Sequence, residues 1–361
     1  MRRKVSVISL MVVVVFALAW LAGPAAAQEK PWWPFPVVEF STGQPKVVDY
    51  VPLEKASKKW NIVGLFPHLK DTSWMGPHYG MVEEAKRMGV KLTILDAGSY
   101  DNLNKQLSQY DDALAMGANA IIAGVISDVG FKEKLQEGKA KGVMNIIFIN
   151  PVKDTPSDFS IFNDIPFMSY AAAETVLDEF KDQAKVKVAL LPGPAGANWA
   201  EEGAKYFQEK LEKDAPGKYE IVDIKWGDPG KSVQLKLVED ILQAHPQVDL
   251  LWGCNPAIEA AVNVIQEMGL VGKTKLMASY ETRDMLPFIE SGLVLGMVGE
   301  RNTAIARISV DQCVRLLENK PTGFSQHLQP VVQGITKKTI PEIQVEWSFA
   351  PEDWKPVFTV D

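Results

Sequence analysis

The stretch NIVGLFPHLKDTSWMGPHYGMVEEAKRMGVKLTIL, residues 61–95, contains the pattern that decides the fold. Its first six residues form a short apolar run, which is typical of a strand buried on both faces. Residues 79–88 place apolar side chains on one helical face, and Gly89 follows as a C-cap. Residues 91–95 are a second apolar run. A strand, a helix and a strand in this order predict a right-handed crossover in a parallel sheet.

The alternation of strands and helices continues to residue 317 and falls into two similar units in series. In the first unit, further strands are predicted at 120–124 and 145–149, with helices at 102–116 and 131–141. In the second unit, the predicted strands cover 186–191, 220–224, 250–253, 275–279 and 293–298, with helices between and around them. The sequence therefore predicts an α/β fold of two lobes joined by a hinge, each with an open, Rossmann-like parallel sheet.

Residues 1–27 have the layout of a secretory signal peptide. Three basic residues precede an apolar run, and the stretch ends in Ala25-Ala26-Ala27. We expect export and cleavage after Ala27; a retained membrane anchor is the alternative, because the apolar run is nearly long enough to span a bilayer. The 334 residues that remain of the 361 exceed what a single hydrophobic core usually holds, which also favours two lobes.

The predicted lobes are each built from more than one stretch of chain. Residues 28–59 are rich in Pro and Trp, which predicts an irregular arm laid over the body. We assign 60–162 and about 301–325 to the N-terminal lobe. The C-terminal lobe takes 163–300 and about 326–361, of which the end serves as a covering tail.

The composition excludes several classes of function. The chain has 38 Lys and Arg against 45 Asp and Glu, and the signal peptide holds three of the basic residues, so the mature chain carries a net charge of −10. Without a basic run, it is a poor candidate for binding nucleic acid. It has no G-x-S-x-G, H-E-x-x-H or P-loop motif and no His or Cys cluster with metal-ligand spacing, so we predict no catalytic residue, metal or cofactor. Cys254 and Cys313 are either a disulfide or two buried thiols.

Polar and aromatic side chains recur where strands lead into helices in both units. In an open parallel sheet, ligands bind beyond the carboxyl ends of the strands, so these loops predict a small-molecule site between the lobes. The candidate ligand-binding residues are Asp71, Trp74, Tyr100 and Ser127 in the first unit, and Trp199, Asn255, Tyr280 and Glu300 in the second. Local roles compete with this prediction, since Trp74 can pack on its own lobe and Asn255 can cap a helix that starts at Pro256.

Several motifs resemble those of class I periplasmic binding proteins, which have the ribose-binding-protein-like fold. They are GMVEEAKRMGV at 80–90, QAHP at 243–246 and IESG at 289–292. Within that family, the chain is similar to the TorT-type sensors of trimethylamine N-oxide reductase systems. That similarity lies in YVPLEKA at 50–56, PHLKDTSW at 67–74, PAGANW at 194–199 and WGDPGK at 226–231.

The resemblance implies a periplasmic receptor that binds trimethylamine N-oxide or a related methylated amine. It also implies a partner, the periplasmic domain of a membrane sensor histidine kinase. A methylated cation suits an aromatic cage, in which each contact is worth about 0.5–2 kcal/mol. Trp74, Tyr100, Trp199 and Tyr280 are the cage candidates, and Asp71 would balance the positive end.

The resemblance is incomplete at one position and leaves a second function open. TorT-type sensors have an aromatic residue directly before the cage Trp, where this chain has Ser73. The departure implies a missing cage wall and room for a different or larger ligand. Asn255 and Glu300 fall where sugar-binding relatives place polar groups. The alternative is therefore the substrate-binding component of an ABC importer for a sugar or another polar solute, with an ABC permease as its partner.

Overall fold

The computed structural model describes residues 31–41, 43–152 and 157–361, and the elements below belong to the compact unit of residues 33–361. The predicted signal peptide and its cleavage site lie outside the described residues. No helix within the described ranges is long and apolar enough to cross a bilayer.

The secondary structure alternates along the chain. The strands are β1 (Phe35–Glu39), β2 (Lys46–Tyr50), β3 (Asn61–Phe66), β4 (Lys91–Asp96), β5 (Ala120–Ala123), β6 (Met144–Phe148), β7 (Phe159–Ile161), β8 (Val186–Leu191), β9 (Tyr219–Ile224), β10 (Leu250–Gly253), β11 (Lys275–Ala278), β12 (Gly296–Gly299), β13 (His327–Pro330), β14 (Gln333–Thr336) and β15 (Thr359–Val360). The helices are α1 (Thr72–Met88), α2 (Leu103–Ala115), α3 (Asp128–Ala140), α4 (Ile165–Glu179), α5 (Asn198–Asp214), α6 (Lys231–Ala244), α7 (Asn255–Glu267), α8 (Leu286–Ser291), α9 (Asn302–Leu317) and α10 (Val345–Ser348).

Two sheets form the centres of two lobes. The first sheet has nine strands in the order β15-β4-β3-β5-β6-β7-β13-β1-β2, and the second has six in the order β14-β12-β11-β10-β8-β9. The central strands of both sheets pair in parallel, and the antiparallel pairs involve β1, β2, β14 and β15. The prediction of an α/β fold with two parallel-dominated sheets is confirmed.

Apolar side chains pack between each sheet and its helices. In the first lobe, Phe131 and Leu135 of α3 pack with Ile121 of β5. In the second lobe, Ile258 of α7 packs with Leu276 of β11. This burial fixes the strands in register, so the loops at their carboxyl ends are held in place by the cores.

Helix α1 begins seven residues before its predicted start at residue 79. Asp71 has an extended backbone and acts as the N-cap, since its Oδ1 accepts a hydrogen bond from the Ser73 N–H at 3.1 Å. Pro77 lies inside the helix, but near the helix start it removes only the bond to the Ser73 carbonyl. Ser73 and Trp74 therefore lie in the first turn of a helix rather than in a loop.

The two ends of the described chain differ from the prediction. Residues 28–59 are not wholly irregular, because β1 and β2 pair with each other and β1 pairs with β13. Alternate side chains of β1 are buried, a strand pattern that the Pro-rich sequence around it obscured. In the segment 326–361, β13 and β15 join the first sheet rather than the C-terminal lobe, and only β14 joins the second.

The chain passes between the lobes several times. It crosses after β7, again between β12 and α9, and again between β13 and β14, before β15 returns to the first sheet. Such crossings act as the hinge of a two-lobed protein. Cys254 follows β10 and Cys313 lies inside α9; both are buried free thiols, which answers the question of pairing left open by the sequence.

Candidate functional site

A cavity lies between the two lobes, where the carboxyl ends of strands from both sheets face each other. Its wall includes residues that follow β3, β4 and β6 in the first lobe, and residues that follow β8, β11 and β12 in the second. Two such edges facing each other enclose a binding site. Six of the eight candidate residues line it: Asp71, Trp74, Tyr100, Trp199, Tyr280 and Glu300.

Ser127 and Asn255 do not line this cavity, which corrects the expectation that all eight converge. Ser127 is the N-cap of α3, where its hydroxyl accepts a hydrogen bond from the Gly130 N–H at 3.3 Å. Asn255 is the first residue of α7 rather than its cap, and its Nδ2 donates to Thr282 Oγ1 at 2.8 Å. It lines a second, neighbouring cavity that shares Asp71.

Three aromatic rings form a continuous wall across the two lobes. The ring centroids of Tyr100 and Trp199 are 5.7 Å apart, and those of Trp199 and Tyr280 are 5.9 Å apart with the planes at 82°. The wall depends on Gly193, which has φ of 126° and would place a Cβ only 2.4 Å from the Trp199 ring. The aromatic part of the site is therefore set by the backbone of the loop after β8.

Trp74 supports the first lobe as well as lining the cavity. It is 4% exposed, and its ring centroid is 5.6 Å from that of Phe66 and 5.9 Å from that of Phe148. A Cβ on Gly124 would approach the indole to 2.6 Å. Truncation of Trp74 would therefore disturb the core, so Trp199 is the better residue for testing the aromatic wall.

The cavity wall is acidic. Among the described residues that line it, Asp71 and Glu300 carry carboxyl groups and none is Lys or Arg. Burial lowers the pKa of His68 despite the opposing effect of Asp71, so this imidazole is neutral at pH 7. Burial and the neighbouring Glu281 raise the pKa of Glu300 to about 8. A cation in the cavity would offset both effects on Glu300 and would meet no positive side chain.

Several buried polar atoms of the wall have no protein partner among the described residues. They include Asp71 Oδ2, Asn163 Oδ1, Trp252 Nε1 and Ser279 Oγ. Asn163 is 3% exposed and Trp252 is 2% exposed. Because buried polar groups are normally hydrogen-bonded, these atoms are available to a polar molecule in the cavity.

Polar contacts hold the lobes together beside the cavity. Lys70 Nζ of the first lobe lies 2.6 Å from Asp228 Oδ1 of the second, and the Ser99 hydroxyl donates to Asp228 Oδ2 at 2.8 Å. Burial alone would raise the pKa of Asp228, but the hydrogen bonds from Lys70 and Ser99 outweigh it and lower the pKa. The lobes are therefore closed over the cavity, and Asp228 links them through its contacts with Lys70 and Ser99.

The candidate list from the sequence omitted several polar residues that line the cavity, among them Ser279, Trp252 and Asn163. Ser279 directly follows β11, so its position at the carboxyl end of a predicted strand was a usable signal. Trp252 lies inside β10, where an aromatic residue in an apolar run is typical of a core. Asn163 follows the three-residue strand β7, which the sequence pattern did not predict. No cluster of three His, Cys, Asp or Glu side chains suited to a metal occurs within the described ranges.

Comparisons with known proteins agree with this architecture. A model of the periplasmic binding protein domain matches residues 63–321. An ABC transporter solute-binding protein from Bradyrhizobium sp. BTAi1, solved with bound Bis-Tris, is 35% identical to this chain. Its structure has a TM-score of 0.76 and the match covers 91% of this chain and 99% of that one.

The chain is also similar to TorT. The periplasmic protein TorT of Escherichia coli K12 is 27% identical over 304 residues, which cover 84% of this chain and 86% of TorT. A complex of the TorS sensor domain with TorT in the presence of trimethylamine N-oxide matches at 27% identity and a TM-score of 0.73. That match covers 83% of this chain and 100% of the solved chain. Because the family model spans most of the sequence and these relatives share the two-lobed architecture, the chain belongs to the periplasmic binding protein family, as a class I solute-binding protein close to TorT.

Proposed function

We propose that this protein is a periplasmic receptor for a small amine cation or amine oxide, with trimethylamine N-oxide and related methylated amines as the first candidates. The observation that carries the proposal is the composition of the cavity wall. The wall contains three aromatic rings that contact one another, and it also contains two carboxyl groups. Among the described residues that line it, none is Lys or Arg. Methylated nitrogen cations bind to aromatic faces, and carboxylates balance their charge.

The wall also offers donors for an amine-oxide oxygen. Trp252 Nε1 is a donor without a protein partner among the described residues. With a pKa of about 8, Glu300 is mostly protonated at pH 7 and offers a second donor. Asp71 Oδ2 would lie towards the positive nitrogen. The proposal thus gives each part of trimethylamine N-oxide a complementary group.

We propose that the receptor signals to the periplasmic domain of a membrane sensor histidine kinase. The support is the match to TorT, which has been solved in complex with the TorS sensor domain. Ligand in the cavity would favour the closed arrangement of the lobes, and a partner that binds one arrangement more tightly would respond to the ligand. The predicted signal peptide would deliver the protein to the compartment of that partner.

An importer is the second candidate, and one observation favours it. The Bradyrhizobium protein at 35% identity is an ABC transporter solute-binding protein, and its bound Bis-Tris is an amine. The two candidates share the cavity chemistry and differ in the partner. Binding of the purified receptor to the periplasmic domain of a sensor histidine kinase would support signalling, whereas binding to a permease in nanodiscs would support import.

A thermal-shift panel tests the ligand class. Trimethylamine N-oxide, tetramethylammonium, betaine, choline, Bis-Tris, ribose and arabinose would each be added to the protein in phosphate buffer. A ligand at 100 times its Kd stabilises the folded state by about 2.7 kcal/mol, so at least one amine compound is expected to raise the melting temperature clearly. A shift caused by a sugar alone would contradict the proposal.

Substitution of the aromatic wall is expected to weaken binding. Trp199→Ala should reduce affinity for tetramethylammonium or trimethylamine N-oxide about five- to thirty-fold. The reason is that Trp199 is the middle ring of the wall, in contact with both Tyr100 and Tyr280. Isothermal titration calorimetry measures the change. Trp226→Ala is the matched control, since Trp226 is 38% exposed and does not line the cavity. Equal affinities for the two variants would exclude the aromatic wall.

Cation binding is expected to release a proton through Glu300. At pH 7 the pKa of about 8 keeps this carboxyl mostly protonated, and a bound cation favours the carboxylate. Affinity for tetramethylammonium should therefore rise by up to about tenfold per pH unit between pH 6 and 8. Calorimetry in buffers of different ionisation enthalpy should detect release of about one proton per ligand. Glu300→Gln should abolish the release; an unchanged release in this variant would assign the proton elsewhere.

The same carboxyl predicts the pH dependence of stability without ligand. The pKa of Glu300 is higher in the folded protein than its usual value of 4.5, so the folded state holds a proton that the unfolded state loses first. Its contribution to the free energy of unfolding is therefore present at low pH and is lost as the pH rises from 4.5 to about 8. Glu300→Gln should flatten this part of the profile.

A further inference from the structure

We infer that, within the amine class proposed above, the preferred ligand of this cavity carries hydroxyl groups beside its cationic centre, as an amino alcohol does, and that amine oxides and simple tetraalkylammonium ions bind more weakly. The inference rests on the proposed function in one respect, namely that the ligand is an amine cation bound between the lobes. It goes further because it specifies which other groups the ligand presents. The observations that carry it are the buried hydrogen-bond acceptors of the wall.

Asn163 supplies the first acceptor. Its Nδ2 donates to the Glu300 carbonyl oxygen at 2.9 Å, and since a carbonyl only accepts, this bond fixes the orientation of the amide. Oδ1 of Asn163 is then left without a donor among the described residues, in a side chain that is 3% exposed. A buried amide oxygen held in this way requires a donor from the ligand.

Asp71 supplies the second acceptor. Its Oδ1 accepts two hydrogen bonds from Ser73, from the N–H at 3.1 Å and from the hydroxyl at 2.6 Å. Its Oδ2 receives none from the described residues, and the residue is 7% exposed. The Ser73 hydroxyl is already used on Oδ1, so the donor for Oδ2 must also come from outside the protein.

Ser279 and Trp252 complete a surface suited to hydroxyl groups. Ser279 Oγ both donates and accepts, Trp252 Nε1 donates, and neither has a partner among the described residues. A hydroxyl group has the same dual capacity, so a single ligand hydroxyl can donate to an acceptor such as Asn163 Oδ1 while it accepts from a donor such as Trp252 Nε1.

The candidate ligands differ in what they offer to these atoms. Trimethylamine N-oxide has one acceptor and no donor, and tetramethylammonium has neither, so both would leave the Asn163 and Asp71 oxygens unpaired. An amino alcohol offers O–H donors together with a cation for the aromatic wall. The side chain at position 73 is small and lines the cavity beside Trp74, where an aromatic side chain would take up more of the space.

Two matched pairs of ligands test the inference by calorimetry in phosphate buffer. Choline and propyltrimethylammonium have the same charge and nearly the same shape and differ by one hydroxyl in place of a methyl. Triethanolamine and protonated tripropylamine differ by three hydroxyl groups in place of three methyl groups. We expect the hydroxylated member of at least one pair to bind about tenfold or more tightly than its partner, and more tightly than trimethylamine N-oxide.

The outcomes separate the inference from the proposed function. If trimethylamine N-oxide or tetramethylammonium binds as tightly as any hydroxylated amine, the inference fails and the proposed function stands. If no amine compound binds, both fail. If ordered water rather than the ligand satisfies the acceptors, the members of each pair bind equally, which also overturns the inference.

Variants of the wall check that the hydroxyl preference comes from these residues. In Ser279→Ala and Asn163→Leu, the ratio of affinities within the preferred pair is expected to fall several-fold. A general loss of lobe closure would weaken the binding of both ligands in a pair. The ratio of their affinities therefore distinguishes lost hydroxyl contacts from a distorted hinge. Melting temperatures without ligand show whether Asn163→Leu still folds, and Ser279→Ala keeps the test decisive if it does not. An unchanged ratio in folded variants would overturn the assignment.

Discussion

Asp71→Asn is expected to weaken the binding of tetramethylammonium or choline by about 30-fold or more. Loss of one member of a buried, charge-assisted contact typically costs about 2–5 kcal/mol. Asn is as good an N-cap as Asp, so its Oδ1 can keep the bond from the Ser73 N–H and helix α1 should be unaffected. The amide nitrogen would then take the place of Oδ2 and present a donor to a cation. Calorimetry at pH 7.5 measures the loss.

The control for this variant is Asp101→Asn. Asp101 is an exposed carboxylate next to Tyr100 and does not line the cavity. Its removal lowers the overall negative charge near the cleft by the same amount, but screening makes the effect on affinity small. Similar losses in both variants would show that Asp71 acts only through the general field of the protein and not through contact with the ligand.

Asp311→Ala is expected to lower the free energy of unfolding by about 3–5 kcal/mol, because removal of one member of a buried ion pair leaves the other uncompensated. Asp311 lies on α9 and is fully buried. It accepts hydrogen bonds from the Tyr50 hydroxyl, from the Leu53 N–H at 2.7 Å and from Arg315 Nε at 2.7 Å. It therefore ties the segment after β2 to a helix that follows the hinge.

Urea denaturation of the ligand-free protein measures this loss. Asp311→Asn should lose less than Asp311→Ala, since an amide oxygen can still accept from the Leu53 N–H. Asp112→Ala, at an exposed position on α2, should change stability by no more than about 0.5 kcal/mol. If Asp311→Ala matched Asp112→Ala, the buried network would contribute nothing to stability.

The regular parts of the fold were predictable because they rest on local patterns. The run at 61–66 is buried along nearly its whole length, and β3 has the predicted bounds. The start of α1 was less predictable, because the apolar periodicity begins at residue 79 and the first turns contain Gly76 and Pro77, both poor helix formers. The short strands β13 and β15 pair with segments far away in sequence, and β7 pairs with the distant β13 as well as with β6; no local pattern reveals the distant pairings.

The site was predictable where it follows from sheet topology. Tyr100, Trp199, Tyr280 and Glu300 lie beyond the carboxyl ends of four strands, in a following loop or at the start of the next helix, and the parallel sheets bring them together. The assignment did not hold for Ser127, because position on a loop does not distinguish a helix cap from a cleft residue. Asn163 escaped prediction for another reason: it lies in a hinge crossing, and the lobe boundaries there depend on pairings of distant segments.

The pairing of β15 with β4 has a consequence for how the polypeptide acquires its structure. The six strands of the second sheet come from residues 186–336, whereas the first sheet draws on residues 35–360. A polypeptide that leaves a translocation channel with its N-terminus first can assemble the second sheet while β4 is paired with β3 alone and still lacks β15 on its other side. Pairings between such distant segments form slowly because of the loop entropy that they must overcome. The second sheet can therefore be complete once residue 336 is available, whereas the first sheet is complete only when residues near the end of the sequence have joined it.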